Sequence, residues 1–251
     1  NACVAGLYGV GHAANLISSG KYDAILCPST EASITYTTLA SFARAGLLSQ
    51  RNDNPKKASR PFDAYRDGGV LGEGSACFLL ESESHACRRG VIPYGEIKGF
   101  GSNETYGNED VEKKKTGMVT SMEKALYAAN CAPFSVDYIG ANGVSDPDLD
   151  RIETCAMKTL FKEHAYAIPI SSVKAQVGIA LNVAGSLQLI AAVMALKNGI
   201  LPQTENYEYP DPECDLDYIP REKRYNKISN ALVHAHGMNS SNASLLVRGI
   251  K

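Results

Sequence analysis

Several kinds of pattern are missing from this sequence of 251 residues, and each absence excludes a class of protein. The formal net charge is -2 and lysines and arginines form no cluster, so no basic field is available for nucleic acid or for an anionic membrane. The longest apolar stretch, residues 187–196, contains Gln188 and is far shorter than the roughly 20 residues that a bilayer span needs. The sequence therefore predicts a globular protein without a transmembrane segment and without a nucleic-acid or membrane partner.

The cysteines form no C-x-x-C pair, and their number, seven, is odd. Most lie in apolar contexts such as AILC and SACFLL. This pattern is typical of reduced core cysteines in a cytoplasmic protein, and it predicts neither a disulfide framework nor a zinc site. The G-x-G patterns at Gly9 and Gly72 are too short for a dinucleotide-binding loop. We therefore expect no metal and no cofactor.

Helical and strand-like patterns alternate along the rest of the chain. A helix is predicted directly after Cys3 because apolar residues recur at helical spacing up to Gly20, a typical helix stop. Further helices are predicted over residues 121–130, 149–161 and 187–197, and strands over residues 22–28, 93–100, 136–141, 167–171 and twice within 231–247. Residues 102–115 are charged and predict a surface loop. The alternation indicates an α/β fold.

Two segments resemble those of a known protein family. RPFDAYRDGGVLGEGSACFLLE, which begins at Arg60, and NYEYPDPECDLDYIP, which begins at Asn206, resemble signature segments of the β-ketoacyl synthases, although Gly69 stands where that family usually has an aromatic residue. The resemblance implies a thiolase-like fold with layers in the order αβαβα. It also implies that residues 1–251 are the C-terminal part of a ketosynthase-like subunit and begin at the nucleophile elbow, so that the N-terminal half is absent from this chain.

The resemblance also implies where the catalytic groups lie. The family's nucleophile is a cysteine at the N-terminus of a buried helix, where the helix dipole lowers the thiol pKa, and Cys3 takes that position. The two catalytic histidines of the family are replaced by Asn142, in GANGV, and by Ile179, in KAQVGI. An amide cannot shuttle a proton, and an isoleucine can only pack.

Other positions keep family features. Lys174 is the family's lysine, and Met238 takes the place of the gating aromatic residue, whose backbone N–H serves as an oxyanion donor. Glu73 and Glu153 are expected to be buried and, with Lys174, to form a structural ion-pair network. The remaining histidines match neither catalytic position; they are His12, His85, His164, His234 and His236.

These losses favour a pseudo-enzyme. The acidic loop after Asn142 resembles that of the chain-length factors of type II polyketide synthases, which pair with an active Cys-His-His ketosynthase and shape the cavity for elongation from malonyl-acyl-carrier protein. Those proteins commonly have glutamine at the nucleophile position, so Cys3 leaves an alternative open. The alternative is a divergent enzyme that uses Cys3 for acyl transfer, thioester cleavage or malonyl decarboxylation.

The chain starts at an unusual point for such a fold. It shows no initiator methionine and no signal-peptide pattern, and it opens two residues before the expected nucleophile. We therefore expect another polypeptide to complete the core, most simply the subunit's own N-terminal fragment after proteolytic or self-catalysed cleavage before Asn1.

Overall fold

The computed structural model describes residues 2–105 and 110–250. The α-helices are α1 (Ala5–Ser18), α2 (Tyr36–Arg44), α3 (Glu83–Arg88), α4 (Val111–Ala128), α5 (Pro147–Phe161), α6 (Lys174–Val177) and α7 (Leu181–Asn198). The strands are β1 (Ala24–Glu31), β2 (Gly74–Glu81), β3 (Glu96–Glu104), β4 (Tyr138–Gly140), β5 (Ile170–Ser171), β6 (Ile200–Leu201), β7 (Arg224–Tyr225), β8 (Asn230–His236) and β9 (Ser241–Arg248).

A mixed five-stranded sheet, in the order β3-β9-β8-β4-β5, forms the centre of the described structure. The strands β3, β9 and β8 pair antiparallel, whereas β4 runs parallel to both β8 and β5. Side chains of β8 alternate between the two faces: Leu232 packs in a core with residues of α4 and α5, and Val233 packs in a second core with residues of α1 and α7. The sheet therefore lies between two helical layers.

The helices α1 and α7 also pack against a second, antiparallel sheet of two strands, β1 and β2. The order of layers is thus β1-β2, then α1 and α7, then the five-stranded sheet, then α4 and α5. This arrangement follows from composition, because α7 is apolar around much of its circumference and needs burial on several sides. The layered α/β architecture predicted from the sequence is confirmed.

The boundaries within residues 102–115 differ from the sequence-based expectation. Residues 102–115 are not all loop: β3 continues to Glu104, and α4 begins at Val111 with the Asp110 carboxylate accepting the N–H groups of Glu112 and Lys113. The sequence analysis took the lysines of this segment as part of a solvated loop. They instead form the first turns of α4, because Asp110 caps the helix and the following turns have a buried face.

The helix α7 is longer than its apolar run suggested. Among the described residues it is the helix with the length and apolar composition of a membrane span, although half of that span is buried inside the protein. It packs against α1 and β8. Such packing is what a core helix in a layered α/β fold makes.

Candidate active site

Cys3 lies in a 3-10 turn, Ala2–Val4, that leads directly into α1. The turn packs against α7 and β8, and Cys3 is only 5% exposed. Gly6 permits this packing, because a Cβ there would lie 2.2 Å from Ser186 Oγ on α7. The structure therefore places Cys3 at the N-terminus of a buried helix, as the sequence analysis expected.

The electrostatics of Cys3 differ from that expectation. Burial raises the pKa of the Cys3 thiol, and the nearby Glu31 raises it further, whereas the charge of Lys174 and a backbone N–H lower it without cancelling the effect of burial. A thiol whose pKa lies above its ordinary value is protonated at neutral pH. Cys3 is thus a buried, protonated thiol and not an activated thiolate.

Residues 142–145, which we call the Asn142 loop, follow β4 and are hydrogen-bonded to two acidic side chains of α5. The backbone N–H groups of residues 142–145 donate to two carboxylates, Glu153 and Asp150, at 2.7–3.1 Å. Burial raises the pKa of Glu153 to about 7 and that of Asp150 to about 6, even though these hydrogen bonds favour the ionised forms. The two acidic residues therefore hold the backbone of the loop in place independently of the side chain at position 142.

The Asn142 side chain forms two hydrogen bonds with groups outside this loop. Its Oδ1 accepts hydrogen bonds from Lys174 Nζ at 3.3 Å and from the backbone N–H of His236 at 3.2 Å. Lys174 Nζ also donates to the Asn142 backbone oxygen. Burial lowers the pKa of Lys174, while the Cys3 and Glu153 charges oppose that shift. Lys174 thus links the Asn142 loop to the surroundings of Cys3.

Ile179, which we expected at the family's second histidine position, places hydrocarbon in the site. It is buried, and its backbone is fixed by hydrogen bonds from its N–H to Val70 O, at 2.7 Å, and from Gly72 N–H to its own oxygen, at 3.1 Å. A Cβ on Gly69 would lie 2.2 Å from Ile179 Cδ1. The missing side chain at position 69 therefore leaves the space that Ile179 occupies, which makes the two departures from the family pattern complementary.

The two buried histidines of β8 are hydrogen-bonded to side chains of β9. His234 Nδ1 lies 3.0 Å from Ser244 Oγ, which in turn contacts Ser121 on α4, and His236 Nδ1 lies 2.9 Å from Asn242 Oδ1. These contacts lie on the α4 side of the sheet, opposite α1. Burial lowers the pKa of His234 to about 3 and also lowers that of His236.

The other three histidines belong to other parts of the fold. His12 is exposed on α1, His85 contacts Glu81 at 2.6 Å, and His164 Nε2 lies 3.0 Å from Val136 O. None of them is among the groups that act electrostatically on Cys3 or Lys174.

Two other predicted site residues lie at the periphery. Met238 sits in the turn between β8 and β9 with its side chain 51% exposed, and its backbone N–H makes no hydrogen bond within the described part of the chain. Glu73 is exposed rather than buried, and it accepts the Ile34 N–H at 2.8 Å.

The expected ion-pair network of Glu73, Glu153 and Lys174 is therefore wrong. Glu73 stands outside it because it follows Gly72 toward the exposed start of β2. Within the described ranges, Lys174 has no carboxylate oxygen within 4.0 Å. What joins Lys174 and Glu153 is the Asn142 backbone, which accepts from the former and donates to the latter.

The two signature segments meet beside this site. Asp63 receives Arg60 Nε at 2.8 Å and the N–H groups of residues 208–209 at 2.8 and 2.7 Å. The Phe62 ring stacks on Tyr218 with centroids 4.0 Å apart, and the Phe62 N–H donates to Asp150 at 2.8 Å. The sequence analysis did not single out Asp150, yet this residue joins the signature segment to the Asn142 loop. Its spacing of three residues from Glu153, on one helix face, was the available signal.

Residues 1–86 match the family model described as "Beta-ketoacyl synthase, N-terminal domain", and residues 94–208 match "Beta-ketoacyl synthase, C-terminal domain". The chain belongs to the β-ketoacyl synthase family. It is 41% identical over 247 residues to 3-oxoacyl-[acyl-carrier-protein] synthase 2 of Coxiella burnetii, covering 98% of this chain and 60% of the relative. It is 40% identical to the tetracenomycin polyketide synthase ketoacyl synthase alpha subunit of Streptomyces glaucescens, covering 98% and 58%. The chain thus spans about three fifths of the length of these ketosynthases.

Solved ketosynthase structures share the fold. A ketosynthase in complex with its type II polyketide synthase acyl-carrier protein, bound to the hexaketide, superposes with a TM-score of 0.94 at 33% identity, covering 100% of this chain and 62% of that one. The ishigamide ketosynthase/chain length factor superposes with a TM-score of 0.90 at 28% identity, covering 100% and 60%. The thiolase-like fold implied by the sequence resemblance is confirmed.

Proposed function

We propose that this ketosynthase-family chain belongs to a catalytically degenerate subunit of the chain-length-factor type. Such a subunit pairs with an active Cys-His-His ketosynthase and shapes the cavity in which a polyketide is elongated from malonyl-acyl-carrier protein. The proposal places the complex in the cytoplasm. Its sequence basis is the replacement of both family histidines.

The observation that carries the proposal is the state of the two replaced positions. Asn142 is an amide locked by Lys174 and His236, and Ile179 is hydrocarbon packed over Gly69. Neither side chain can exchange a proton with a substrate. Loss of one general acid–base group costs about two to four powers of ten in rate, and losses within one catalytic unit do not simply add. Condensation by this subunit alone should therefore be negligible.

The intact scaffold supports a structural role for the site. The clamp of Glu153 and Asp150, the stacked Phe62 and the Lys174 bonds keep the loops ordered although the histidines are gone. Loops that stay ordered without acid–base groups are what we expect of a subunit that only shapes the wall of a shared cavity. The solved neighbours that include a ketosynthase/chain length factor and an acyl-carrier protein complex support the same class of partners.

A second candidate function follows from Cys3 itself. This residue keeps the nucleophile position at the start of α1, within electrostatic reach of Lys174. A divergent enzyme that uses Cys3 for acyl transfer, thioester cleavage or malonyl decarboxylation is the alternative. Replacement Cys3→Ala in the reconstituted complex separates the two, because unchanged product yield rules the second function out.

The main experiment compares three mixtures supplied with malonyl-acyl-carrier protein: the full subunit alone, a complete ketosynthase alone, and both together. We expect polyketide only when a complete ketosynthase is present, with product length set by the combination, and we expect the two proteins to purify together. Variant Ile179→Val, which keeps hydrocarbon at the second replaced position, should match the native mixture. Polyketide made by the native subunit alone would refute the proposal.

A further inference from the structure

The Asn142 amide has one possible orientation in this site. Its Oδ1 faces two donors, Lys174 Nζ at 3.3 Å and the His236 N–H at 3.2 Å. A backbone N–H can only donate, so the rotated amide would set the hydrogens of Nδ2 against the hydrogen of His236. The hydrogen-bond network therefore assigns the positions of oxygen and nitrogen in this side chain.

The assignment leaves the two N–H groups of Asn142 Nδ2 without a protein acceptor. Within residues 2–105 and 110–250 Nδ2 forms no hydrogen bond, although the residue is only 2% exposed, and Nδ2 is not among the fully enclosed side-chain atoms that lack a partner. Nδ2 therefore keeps part of the small accessible surface of Asn142, and its N–H groups are free to donate to a bound group. The surroundings of the amide indicate what that bound group would be.

Lys174 connects this amide to the nucleophile. Its Nζ contacts both oxygens of Asn142, and its charge acts on the Cys3 thiol more strongly than any other side chain does. The turn that holds Cys3 packs against β8, the strand that supplies the His236 N–H. The unused amide donors, the Lys174 amine and the Cys3 sulfur thus belong to one buried cluster, in which Ile179 supplies no polar group.

We propose that Asn142 Nδ2 donates a hydrogen bond to the carbonyl oxygen of an acyl thioester on Cys3, so that this subunit accepts and holds an acyl group that it does not extend. The inability to extend rests on the proposed function, whereas the donor role does not. An amide N–H stabilises a carbonyl oxygen, and the oxyanion that forms from it, without giving up its proton. Asn142 can therefore donate a hydrogen bond as a histidine would, but it cannot transfer a proton.

The reaction is an exchange between a thiol and a thioester. The Cys3 sulfur attacks the carbonyl carbon of an acyl group held on a carrier thiol; a new carbon–sulfur bond forms and the carrier's carbon–sulfur bond breaks. The proton that Cys3 loses ends on the departing carrier thiol, and nothing is oxidised or reduced. Because burial raises the pKa of Cys3, the exchange is slow. The same burial, with Cys3 only 5% exposed, shields the product from water.

The test compares two reactions of Cys3 in the full subunit. Acylation by an acyl-N-acetylcysteamine thioester passes through an oxyanion, whereas alkylation by iodoacetamide reports only access to the sulfur and its ionisation. Peptide mass mapping assigns both products to Cys3, since Cys77 and Cys87 are exposed and also react. In variant Asn142→Asp, which keeps the acceptor for Lys174 and His236, we expect the ratio of acylation to alkylation rate to fall about 100-fold.

Two further variants sharpen the comparison. Asn142→His restores a donor and should acylate at least as fast as the native chain. Asn226→Asp makes the same chemical change at an exposed residue whose side chain forms no hydrogen bond with the described residues, and it should leave the ratio unchanged. A native ratio in Asn142→Asp would overturn the donor role.

A measurement on the native protein covers the case in which Asn142→Asp does not fold. With a ¹³C-labelled acyl carbonyl on Cys3, we expect an infrared carbonyl band at lower frequency than that of the free thioester. A band at the free-thioester frequency, or a native Cys3 that is never acylated, would overturn this inference and leave the partner role intact. Condensation without a partner would instead overturn the proposed function and leave the donor role intact.

Discussion

The fit between Gly69 and Ile179 gives a quantitative prediction about the stability of the fold. In variant Gly69→Ala the new Cβ would lie 2.2 Å from Ile179 Cδ1, 3.1 Å from Ile179 Cγ1 and 2.8 Å from the Val144 backbone oxygen. Overpacking of this kind costs about 1–3 kcal/mol. We therefore expect Gly69→Ala to lower the free energy of unfolding by about 2 kcal/mol, which for a chain of this size corresponds to about 4–8 °C in Tm.

Variant Ile179→Val isolates the contribution of one atom, because it deletes the Cδ1 methyl that the new Cβ would meet. Alone it should cost about 0.5–1.5 kcal/mol, the usual cost of removing a buried methyl group. In the Ile179→Val background, Gly69→Ala should cost about 1 kcal/mol less than in the native chain, since only the Val144 contact remains severe. Urea unfolding of the native chain, both single variants and the double variant yields this coupling energy.

Gly9→Ala is the matched control for the glycine substitution. A Cβ at Gly9 has no neighbour within 4 Å, and alanine is favoured over glycine inside a helix, so this variant should be neutral or stabilising and should not couple to Ile179→Val. If the Gly69 and Ile179 changes are additive within about 0.5 kcal/mol, the two positions do not share a space and the complementarity argument fails.

Three further predictions concern the groups that hold the site. Burial raises the folded-state pKa of Glu153 to about 7, above an unfolded value of about 4.3, so its contribution to stability is lost as pH rises. The native free energy of unfolding, relative to Glu153→Gln, should fall between pH 4.5 and 7.5 in urea titrations; a constant difference would contradict this. Burial lowers the pKa of His234 to about 3, so relative to His234→Gln the native chain should lose stability as pH falls below about 6.5. Arg66 donates to the backbone oxygens of Pro147, at 2.8 Å, and Asp63, at 2.9 Å, and pairs with Asp211, so Arg66→Lys should cost about 2–4 kcal/mol in thermal unfolding, whereas an exposed control, Arg88→Lys, should not.

The site shows how a loop can keep its geometry independently of one of its side chains. The Asn142 loop depends on N–H bonds to Glu153 and Asp150, which make no use of the side chain at position 142. A change of that side chain is therefore expected to leave the loop backbone in place. The shape of such a loop is therefore poor support for any particular chemistry, and the identity of the side chain decides.

Much of the local structure could be predicted from the sequence because it depends on near neighbours. The helix after Cys3 shows apolar spacing and a glycine stop, and the strands β8 and β9 flank a turn rich in glycine, asparagine and serine. The predicted loop over residues 102–115 failed where a helix N-cap and a buried face on α4 outweighed a charged composition. The placement of Glu73 failed because exposure at the start of β2 is a property of the packed sheets.

Cys3 marks the division between the two sources of information most clearly. From the sequence alone we expected this residue to stand where ketosynthases carry their nucleophile, and Asn142 and Ile179 to stand in place of the histidines, because residue identities in a recognisable segment do not depend on packing. Only the tertiary structure decided that the thiol pKa is raised, that the β8 histidines face the other side of the sheet, and that the Asn142 amide has a fixed direction. Those properties arise from groups far apart in the chain, whose burial and hydrogen bonds exist only once the layers have packed.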